Sequence, residues 1–213
     1  MNILLASGNP GKAREVRAAL SGLPVRVLTP QEAGIAIEVE EAGSTYAENA
    51  LLKARAACRA SGLPALADDS GVEVEALPGE LGVRSARFGG EGLDDAGRNR
   101  LLLQRLAGVP EERRGARFVC ILAFVRPDGR FGFFEGDLSG RLLEAPRGEG
   151  GFGYDPLLYL PPEGRTVAEL DVETKNRISH RGKALAAFRG WLAGELAEPH
   201  AAGIPRRTQR RTG

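Results

Sequence analysis

The chain has 213 residues, a formal net charge of +1, 42% apolar residues and 27% charged residues. This length is enough for one substantial core, or for one large and one small lobe, and the composition is that of an ordinary globular domain. A net charge so close to zero argues neither for nor against an acidic partner. The sequence has no signal-peptide pattern and no apolar run of roughly 18 residues, so we expect a cytoplasmic protein without a membrane partner.

The chain begins with an alternation of strand and helix patterns. The apolar run Asn2–Ala6 is typical of a strand buried on both faces. The loop SGNPGK (7–12) leads from it into a predicted helix over 12–22, and VRVL (25–28) predicts a second strand. This order is that of a βαβ unit.

The clearest helix signal covers residues 44–62. Thr45 and Glu48 have the T-x-x-E spacing of a capping box, and apolar residues recur at helical spacing up to the stop at Gly62. Asn49 and Lys53 are four residues apart, so they share a different face of this helix.

The stretch ALADDSGVEV (65–74) places Asp68 and Asp69 side by side between apolar segments. Two neighbouring carboxylates repel each other and are costly to bury. One interpretation is a solvated turn between strand pieces at 64–67 and 72–77, since Asp, Ser and Gly are turn residues. The alternative is a cation site.

The second half of the chain predicts a helix over 93–108, a hairpin over 116–140 that turns at PDG, and a last helix over 180–196. Residues 142–166 are predicted to be irregular, and a loop of that length is usually functional. The order of the predicted elements combines βα units with a hairpin. This order predicts the α/β class, with a mixed sheet and flanking helices. Cys58 and Cys120 are expected to be buried as small apolar side chains.

SGNPGK lies where a phosphate-binding loop is expected, between the first strand and the first helix. Helix N-terminal N–H groups and a lysine attract anions. A Walker A loop is disfavoured, because Gly8 is only three residues before Gly11 and Lys12 is followed by Ala13 instead of Ser or Thr. A general phosphate-binding loop and a plain strand–helix turn both remain open.

Acidic residues are the candidate metal ligands. Glu38, Glu40 and Glu41 precede the capped helix, and Asp68 and Asp69 follow the next strand. Oxygen ligands suit Mg²⁺, which commonly takes one or two carboxylates and leaves its other positions to water and phosphate. The two histidines are remote in sequence, which disfavours zinc.

Two further segments have unusual composition. GEGGFGYDP (148–156) surrounds two aromatic residues with glycines, which allow close backbone approach to a ligand, although a tight turn with core aromatics explains the same pattern. KNRISHRGK (175–183) by itself indicates the basic, solvated start of a helix.

Taken together, SGNPGK, TYAENALLKARA, ADDSG, GGFGYDP and KNRISHRG occur in the order and approximate spacing of one family. The chain resembles the inosine triphosphate pyrophosphatases, also called XTP/dITP diphosphatases. The resemblance covers residues 2–196, with serine at position 7 where many members have threonine. It implies one pyrophosphatase domain over 1–198, with an elongated sheet and two lobes around a nucleotide-binding cleft. Residues 199–213 are left as a basic, disordered tail.

The resemblance also implies a function. A homodimer would use Mg²⁺ to cleave the α–β phosphate bond of ITP, dITP and XTP, giving the nucleoside monophosphate and pyrophosphate. Asp69 is implied to be the general base that activates water and also a metal ligand. Glu40 is implied to be the second metal ligand, with Glu38 and Glu41 left open, and Asp68 is left open as a group that orients its neighbour. The residues implied to bind substrate are Ser7, Gly8, Asn9, Pro10, Gly11, Lys12, Lys53, Ser70, Phe152, Gly153, Tyr154, Asp155, Lys175, His180 and Arg181.

Within that set, residues 7–12 and Lys53 are implied to hold the phosphates. Residues 152–155 are implied to line the base and sugar pocket, and Lys175, His180 and Arg181 to complete recognition of the nucleotide.

Two other functions compete with this interpretation. One is a related pyrophosphatase for modified pyrimidine nucleotides, which GGFGYDP and ISHRG disfavour. The other is a nucleic-acid-binding protein that uses the arginines of PRRTQRRTG (205–213), but the rest of the chain lacks the charge excess that such binding needs. We therefore expect no stable nucleic-acid partner.

Overall fold

Seven strands of one mixed sheet run through the part of the chain that the computed structural model describes, residues 1–90 and 92–197. They are ordered β2-β1-β3-β4-β5-β6-β7. Strand β1 pairs in parallel with β2 and β3, and β6 pairs antiparallel with β5 and β7. The strands are β1 Asn2–Leu5, β2 Arg26–Leu28, β3 Ala65–Val74, β4 Gly115–Val125, β5 Phe131–Leu142, β6 Leu158–Leu160 and β7 Arg165–Thr166. The predicted α/β class with a mixed sheet is confirmed.

Five α-helices accompany the strands in the described residues. They are α1 Pro10–Ala19, α2 Tyr46–Ser61, α3 Asp95–Arg105, α4 Val172–Ile178 and α5 His180–Ala197. The predicted start and stop of α2 are confirmed, because Thr45 and Glu48 form the capping box and Gly62 has a left-handed φ of 67°. Short 3₁₀ segments at Gly82–Arg87, Glu111–Arg113 and Val167–Glu169 and helix α4 were not predicted.

The chain divides into two compact units, each with a hydrophobic core of its own. Unit 1 consists of Met1–Asp69, Ile121–Glu135 and the described residues from Ala184 on, and unit 2 of Ser70–Cys120 and Gly136–Lys183. In unit 1 the buried alanine face of α2 packs against residues of β1, β3 and β4. In unit 2 leucine, valine and aromatic residues from β3, α3 and the segment 154–167 form the core.

The acidic stretch is part of a strand, so its interpretation as a solvated turn between two strand pieces is wrong. Strand β3 is continuous over Ala65–Val74, and Asp68 and Asp69 are only 4% and 6% exposed. The expectation of a turn assumed that the two carboxylates keep their water. In the structure each is paired with a lysine, which offsets the cost of burial.

The segment 142–166 is less irregular than predicted, because it contains β6 and β7. These strands are three and two residues long, which is too short for a period-two pattern to show in the sequence. Cys58 and Cys120 are buried free thiols, as predicted. No helix in residues 1–90 and 92–197 has the length and apolarity to span a membrane. The predicted basic tail lies outside the described residues.

Candidate functional site

The predicted phosphate loop, residues 7–12, forms the capped start of α1. Asn9 is the N-cap, and its Oδ1 accepts from the N–H groups of Gly11, at 2.8 Å, and Lys12, at 3.1 Å. The N–H of Asn9 donates to Ser7 Oγ at 3.2 Å. Because Asn9 occupies two of the helix N-terminal N–H groups, attraction of an anion here depends on the Lys12 ammonium and on the positive end of the helix.

Unit 1 gathers two lysines and three acidic residues. Lys12 Nζ lies 2.8 Å from Asp68 Oδ2, and Lys53 Nζ lies 2.8 Å from Asp69 Oδ1 and 2.9 Å from Glu41 Oε1. We call these five residues the carboxylate–lysine cluster. Its two aspartates come from β3, Lys12 from the first turn of α1 and Lys53 from the middle of α2. The predicted residues Lys12, Lys53 and Asp69 are thus brought together.

The environment of Asp69 makes it a stronger base than an exposed carboxylate. Burial raises the pKa of Asp69, while the Lys53 ammonium and a hydrogen bond from Asn49 Nδ2, at 3.4 Å, act in the opposite direction. Burial lowers the pKa of Lys53, but the charges of Asp69 and Asp68 outweigh it and the pKa is raised on balance. Lys53 therefore stays charged beside a carboxylate of raised basicity.

Two members of this environment were not assigned a role from the sequence: Glu41 was left open as a metal ligand, and Asn49 was not proposed for the site. Glu41 contacts Lys53, whereas Glu40 is exposed. Of these two glutamates, it is therefore Glu41 that belongs to the carboxylate–lysine cluster. The metal-binding role of Glu40 stays a prediction. Asn49 is fully buried, and its Oδ1 accepts from the N–H of Gly43 at 2.9 Å. Its spacing four residues before Lys53 was the signal that could have identified it.

The cluster has the donor chemistry of a magnesium site with few protein ligands. The carboxylates of Glu41 and Asp69 both contact the Lys53 ammonium. The atoms that they offer to a metal ion are carboxylate oxygens. In residues 1–90 and 92–197 no group of three or more His, Cys, Asp or Glu residues is placed to hold a metal ion. Mg²⁺ is commonly bound by one or two carboxylates with water and substrate phosphates, so the residues present fit Mg²⁺.

Unit 2 places basic side chains over the ring of Phe152. Lys175 Nζ lies 4.7 Å from the ring centroid and the guanidinium carbon of Arg181 lies 5.3 Å from it. Arg181 is buried, and its Nη2 donates to Ser70 Oγ at 3.1 Å. Lys175 also donates to Asp155 Oδ2 at 2.8 Å. We call Ser70, Phe152, Asp155, Lys175 and Arg181 the aromatic–basic cluster.

Asp155 and Tyr154 fix the turn that carries Phe152. Asp155 is buried and accepts from the N–H of Phe152 at 2.9 Å. Burial raises the pKa of Asp155, and the Lys175 ammonium opposes that rise. Tyr154 is buried in the core of unit 2, where its hydroxyl donates to the Ser85 carbonyl at 2.8 Å and burial raises its pKa to about 12. Both side chains hold the backbone of the turn, while the Phe152 ring is half-buried.

His180 and Gly71 are both placed by packing in unit 2. His180, the first residue of α5, is buried, and its ring packs edge-to-face on the Phe118 ring with 5.1 Å between the two ring centroids. Gly71 follows Ser70 in β3, and a Cβ atom there would lie 2.2 Å from the Gly82 carbonyl oxygen. Only glycine fits at position 71, which explains why the ADDSG motif ends in glycine.

Comparison with known proteins gives consistent results. The sequence profile of the Ham1 family matches residues 3–191. A Thermus thermophilus protein named dITP/XTP pyrophosphatase is 54% identical over 188 residues, which are 88% of this chain and 90% of that protein. A Deinococcus deserti protein of the same name is 50% identical over 205 residues, 96% of this chain and 92% of the relative. The structure of a HAM1 protein from Coxiella burnetii superimposes with a TM-score of 0.83 at 40% identity, covering 91% of this chain and 99% of that one.

Proposed function

The chain belongs to the Ham1 family, and on that basis we propose that it hydrolyses the non-canonical purine nucleoside triphosphates ITP, dITP and XTP to the monophosphate and pyrophosphate. Its role would be to remove deaminated purines from the nucleotide pool. Two relatives with 54% and 50% sequence identity are named dITP/XTP pyrophosphatase, and their alignments cover 88% and 96% of this chain. The same role supports a cytoplasmic location.

The observation that carries the proposal is the pair of buried, adjacent aspartates, each matched to its own lysine. Cleavage of a phosphoanhydride requires an oriented water, a proton acceptor and positive charge beside the phosphates. Asp69 supplies the acceptor, because burial raises its pKa while Lys53 keeps it available as a carboxylate. The proton of the attacking water passes to Asp69 as the water oxygen bonds to phosphorus, and pyrophosphate leaves.

Lys12 and Lys53 are the groups we assign to the phosphates. Both ammonium groups are held by carboxylates, Lys12 by Asp68 and Lys53 by Asp69 and Glu41, so they are positioned without substrate. Mg²⁺, held by Asp69 with Glu40 or Glu41, would neutralise charge on the triphosphate and lower the barrier to attack. Asp68 acts as the group that positions Lys12.

The aromatic–basic cluster is assigned to the base. Hypoxanthine and xanthine have a carbonyl at C6 where adenine has an amine, and a pocket that accepts the carbonyl must present hydrogen-bond donors. Arg181 has only donors, and Phe152 offers a ring on which any purine can stack. We assign His180 to the same edge of the base. An amine facing those donors leaves them unpaired, at a cost of ~1–3 kcal/mol per buried group.

A panel of nucleotides tests the proposal. We expect kcat/KM for ITP and XTP to exceed the values for ATP, dTTP and UTP by a wide margin. The Asp69→Asn variant keeps the shape of the side chain and removes its charge, and it should lose on the order of 10²-fold or more in kcat, the usual contribution of a positioned base. Asp68→Asn is the matched control, with a smaller loss. A preference for dTTP or UTP would favour the pyrimidine interpretation instead.

The alternative of nucleic-acid binding is tested by shortening the chain. A variant that ends at Pro205 should keep full turnover of ITP, because no assigned residue follows that position. Loss of turnover, together with salt-sensitive DNA binding by the full chain, would favour the nucleic-acid interpretation.

We also propose a homodimer, on the ground of the family resemblance. Light scattering coupled to size-exclusion chromatography tests it, and a mass of one chain would contradict it; each chain is 22.6 kDa.

A further inference from the structure

Helix α3 holds both polar backbone groups of Gly153, the residue after Phe152. The N–H of Gly153 donates to Asp95 Oδ2 at 2.7 Å, and its carbonyl accepts from Asn99 Nδ2 at 3.0 Å. Asp95 and Asn99 are four residues apart, so their side chains project from the same face of the helix. Two side chains from one helical face are therefore hydrogen-bonded to a single loop residue that is distant in sequence; we call this pair of hydrogen bonds the grip on Gly153.

Gly153 directly follows Phe152, so the position of its backbone helps to determine the position of the Phe152 ring. Gly153 has a φ of 62°, in the left-handed region that glycine adopts without strain. On its C-terminal side, Tyr154 is anchored through its hydroxyl to the Ser85 carbonyl. On its N-terminal side the Phe152 ring is only half-buried, so its position depends on where the 152–153 peptide is held.

Asn99 is an unexpected residue for a place in the core. It is 7% exposed, and within residues 1–90 and 92–197 its Oδ1 is buried without a hydrogen-bond partner. An unpaired buried acceptor is unfavourable, and a leucine, whose side chain has the same branched skeleton without polar atoms, would avoid it. Packing therefore does not explain the amide, whereas the hydrogen bond from its Nδ2 to Gly153 does.

We propose that Asp95 and Asn99 are positioning residues that hold the Phe152 turn and so determine how tightly the base of the substrate is bound. The kinetic part of this inference rests on the proposed function. Because water activation is assigned to Asp69, loss of the grip should raise KM for ITP and change kcat little. We expect a rise in KM of about tenfold, the factor that corresponds to one hydrogen bond to a charged group.

Asp95→Ala and Asp94→Ala form a matched pair. Asp94 is the N-cap of α3, where its Oδ1 accepts from the N–H of Gly97 at 2.7 Å. Each variant removes one carboxylate from the same end of the same helix, but only Asp95 bonds to Gly153. We expect Asp95→Ala to raise KM for ITP and Asp94→Ala to lower the melting temperature with KM nearly unchanged. Asp95→Asn keeps an acceptor oxygen and should restore most of the affinity.

Asn99→Leu separates positioning from a structural role. It removes both the bond to Gly153 and the unpaired oxygen, so the melting temperature should stay or rise while KM for ITP rises. A residue whose role is structural would show a lower melting temperature with unchanged KM. That result would overturn the proposal for Asn99.

Hydrogen exchange gives a readout that does not depend on activity. Peptides covering residues 148–156 should exchange faster in Asp95→Ala than in Asp94→Ala or the wild type. If the wild type turns over ITP and Asp95→Ala has the KM of Asp94→Ala, the inference is wrong and the proposed function stands. If the wild type fails to turn over ITP, the proposed function is wrong, and exchange alone decides: faster exchange in Asp95→Ala supports the grip, and equal rates overturn it.

Discussion

Lys53 Nζ lies 2.8 Å from Asp69 Oδ1, and the two side chains reach each other from the middle of α2 and the middle of β3. The lysine opposes the rise in the pKa of Asp69 that burial causes. This pair links the fold of unit 1 to the chemistry proposed for it, because the ammonium favours the ionised form of the carboxylate that is assigned as the base.

The first prediction concerns the pH dependence of activity in Lys53→Met. Removing the ammonium should raise the pKa of Asp69 further, since the opposing charge is lost and burial remains. A base must be ionised to act, so activity falls as the pH drops through its pKa. The acidic limb of the kcat/KM profile for ITP should therefore move to higher pH. Lys183→Met is the control, because Lys183 belongs to unit 2, where its ammonium donates to the Asp137 carbonyl. An unmoved acidic limb would contradict the assignment of Asp69 as the base.

The second prediction concerns Lys12 and Asp68. Lys12→Ala should weaken binding of a triphosphate more than of a monophosphate, since Lys12 is assigned to the phosphate tail. It should also lower the free energy of unfolding by on the order of 3 kcal/mol, because it removes the ammonium that forms an ion pair with the buried Asp68 carboxylate.

Lys12→Ala combined with Asp68→Asn separates these two effects. The double variant should recover most of the lost stability, as measured by urea unfolding, without recovering triphosphate affinity. Equal weakening of ITP and IMP binding in Lys12→Ala would place Lys12 outside the phosphate site.

The third prediction concerns how purines are told apart. Arg181→Ala should lower kcat/KM for ITP and narrow the ITP-to-ATP ratio, because it removes donors for the C6 carbonyl. Phe152→Ala should weaken both nucleotides more evenly, since stacking does not depend on the identity of the purine. The values of kcat/KM for ITP and ATP on the wild type and the two variants decide this. An unchanged ratio in Arg181→Ala would shift discrimination to His180 or to backbone N–H groups of the 151–155 loop.

The fourth prediction concerns stability at alkaline pH. The folded protein holds the pKa of Tyr154 at about 12, above the value near 10 that is usual for an unfolded chain. The contribution of the protonated hydroxyl is complete below pH 10 and is lost as the pH rises from about 10 to 12. The free energy of unfolding of the wild type should fall more steeply over that range than that of Tyr154→Phe. Parallel curves for the two proteins would mean that Tyr154 does not titrate in this way.

Local signals predicted much of this fold. The capping box at Thr45, the stop at Gly62 and the PDG turn are encoded within a few neighbouring residues, and the structure has each element where these signals place it. The acidic stretch shows where such reasoning fails. Asp68 and Asp69 look solvated as long as their partners are unknown, and those partners lie 56 and 16 residues away.

The grip on Gly153 had no sequence signal that could be interpreted in advance. Asp95 and Asn99 look like ordinary polar residues of an exposed helix, and the residue that they hold is 58 and 54 positions further along the chain. Glu41 was partly predictable. The sequence identified Glu38, Glu40 and Glu41 as candidate metal ligands, but only the contact with Lys53 in the structure distinguishes Glu41 from the other two.

The most direct test of the central claim is identification of the products formed from ITP in the presence of Mg²⁺, by phosphorus NMR. Hydrolysis at the α–β bond predicts IMP and pyrophosphate in equal amounts from the wild type, and almost none from Asp69→Asn over the same time. Formation of IDP and inorganic phosphate would contradict the account, because it would mean that the bond cleaved is the β–γ bond.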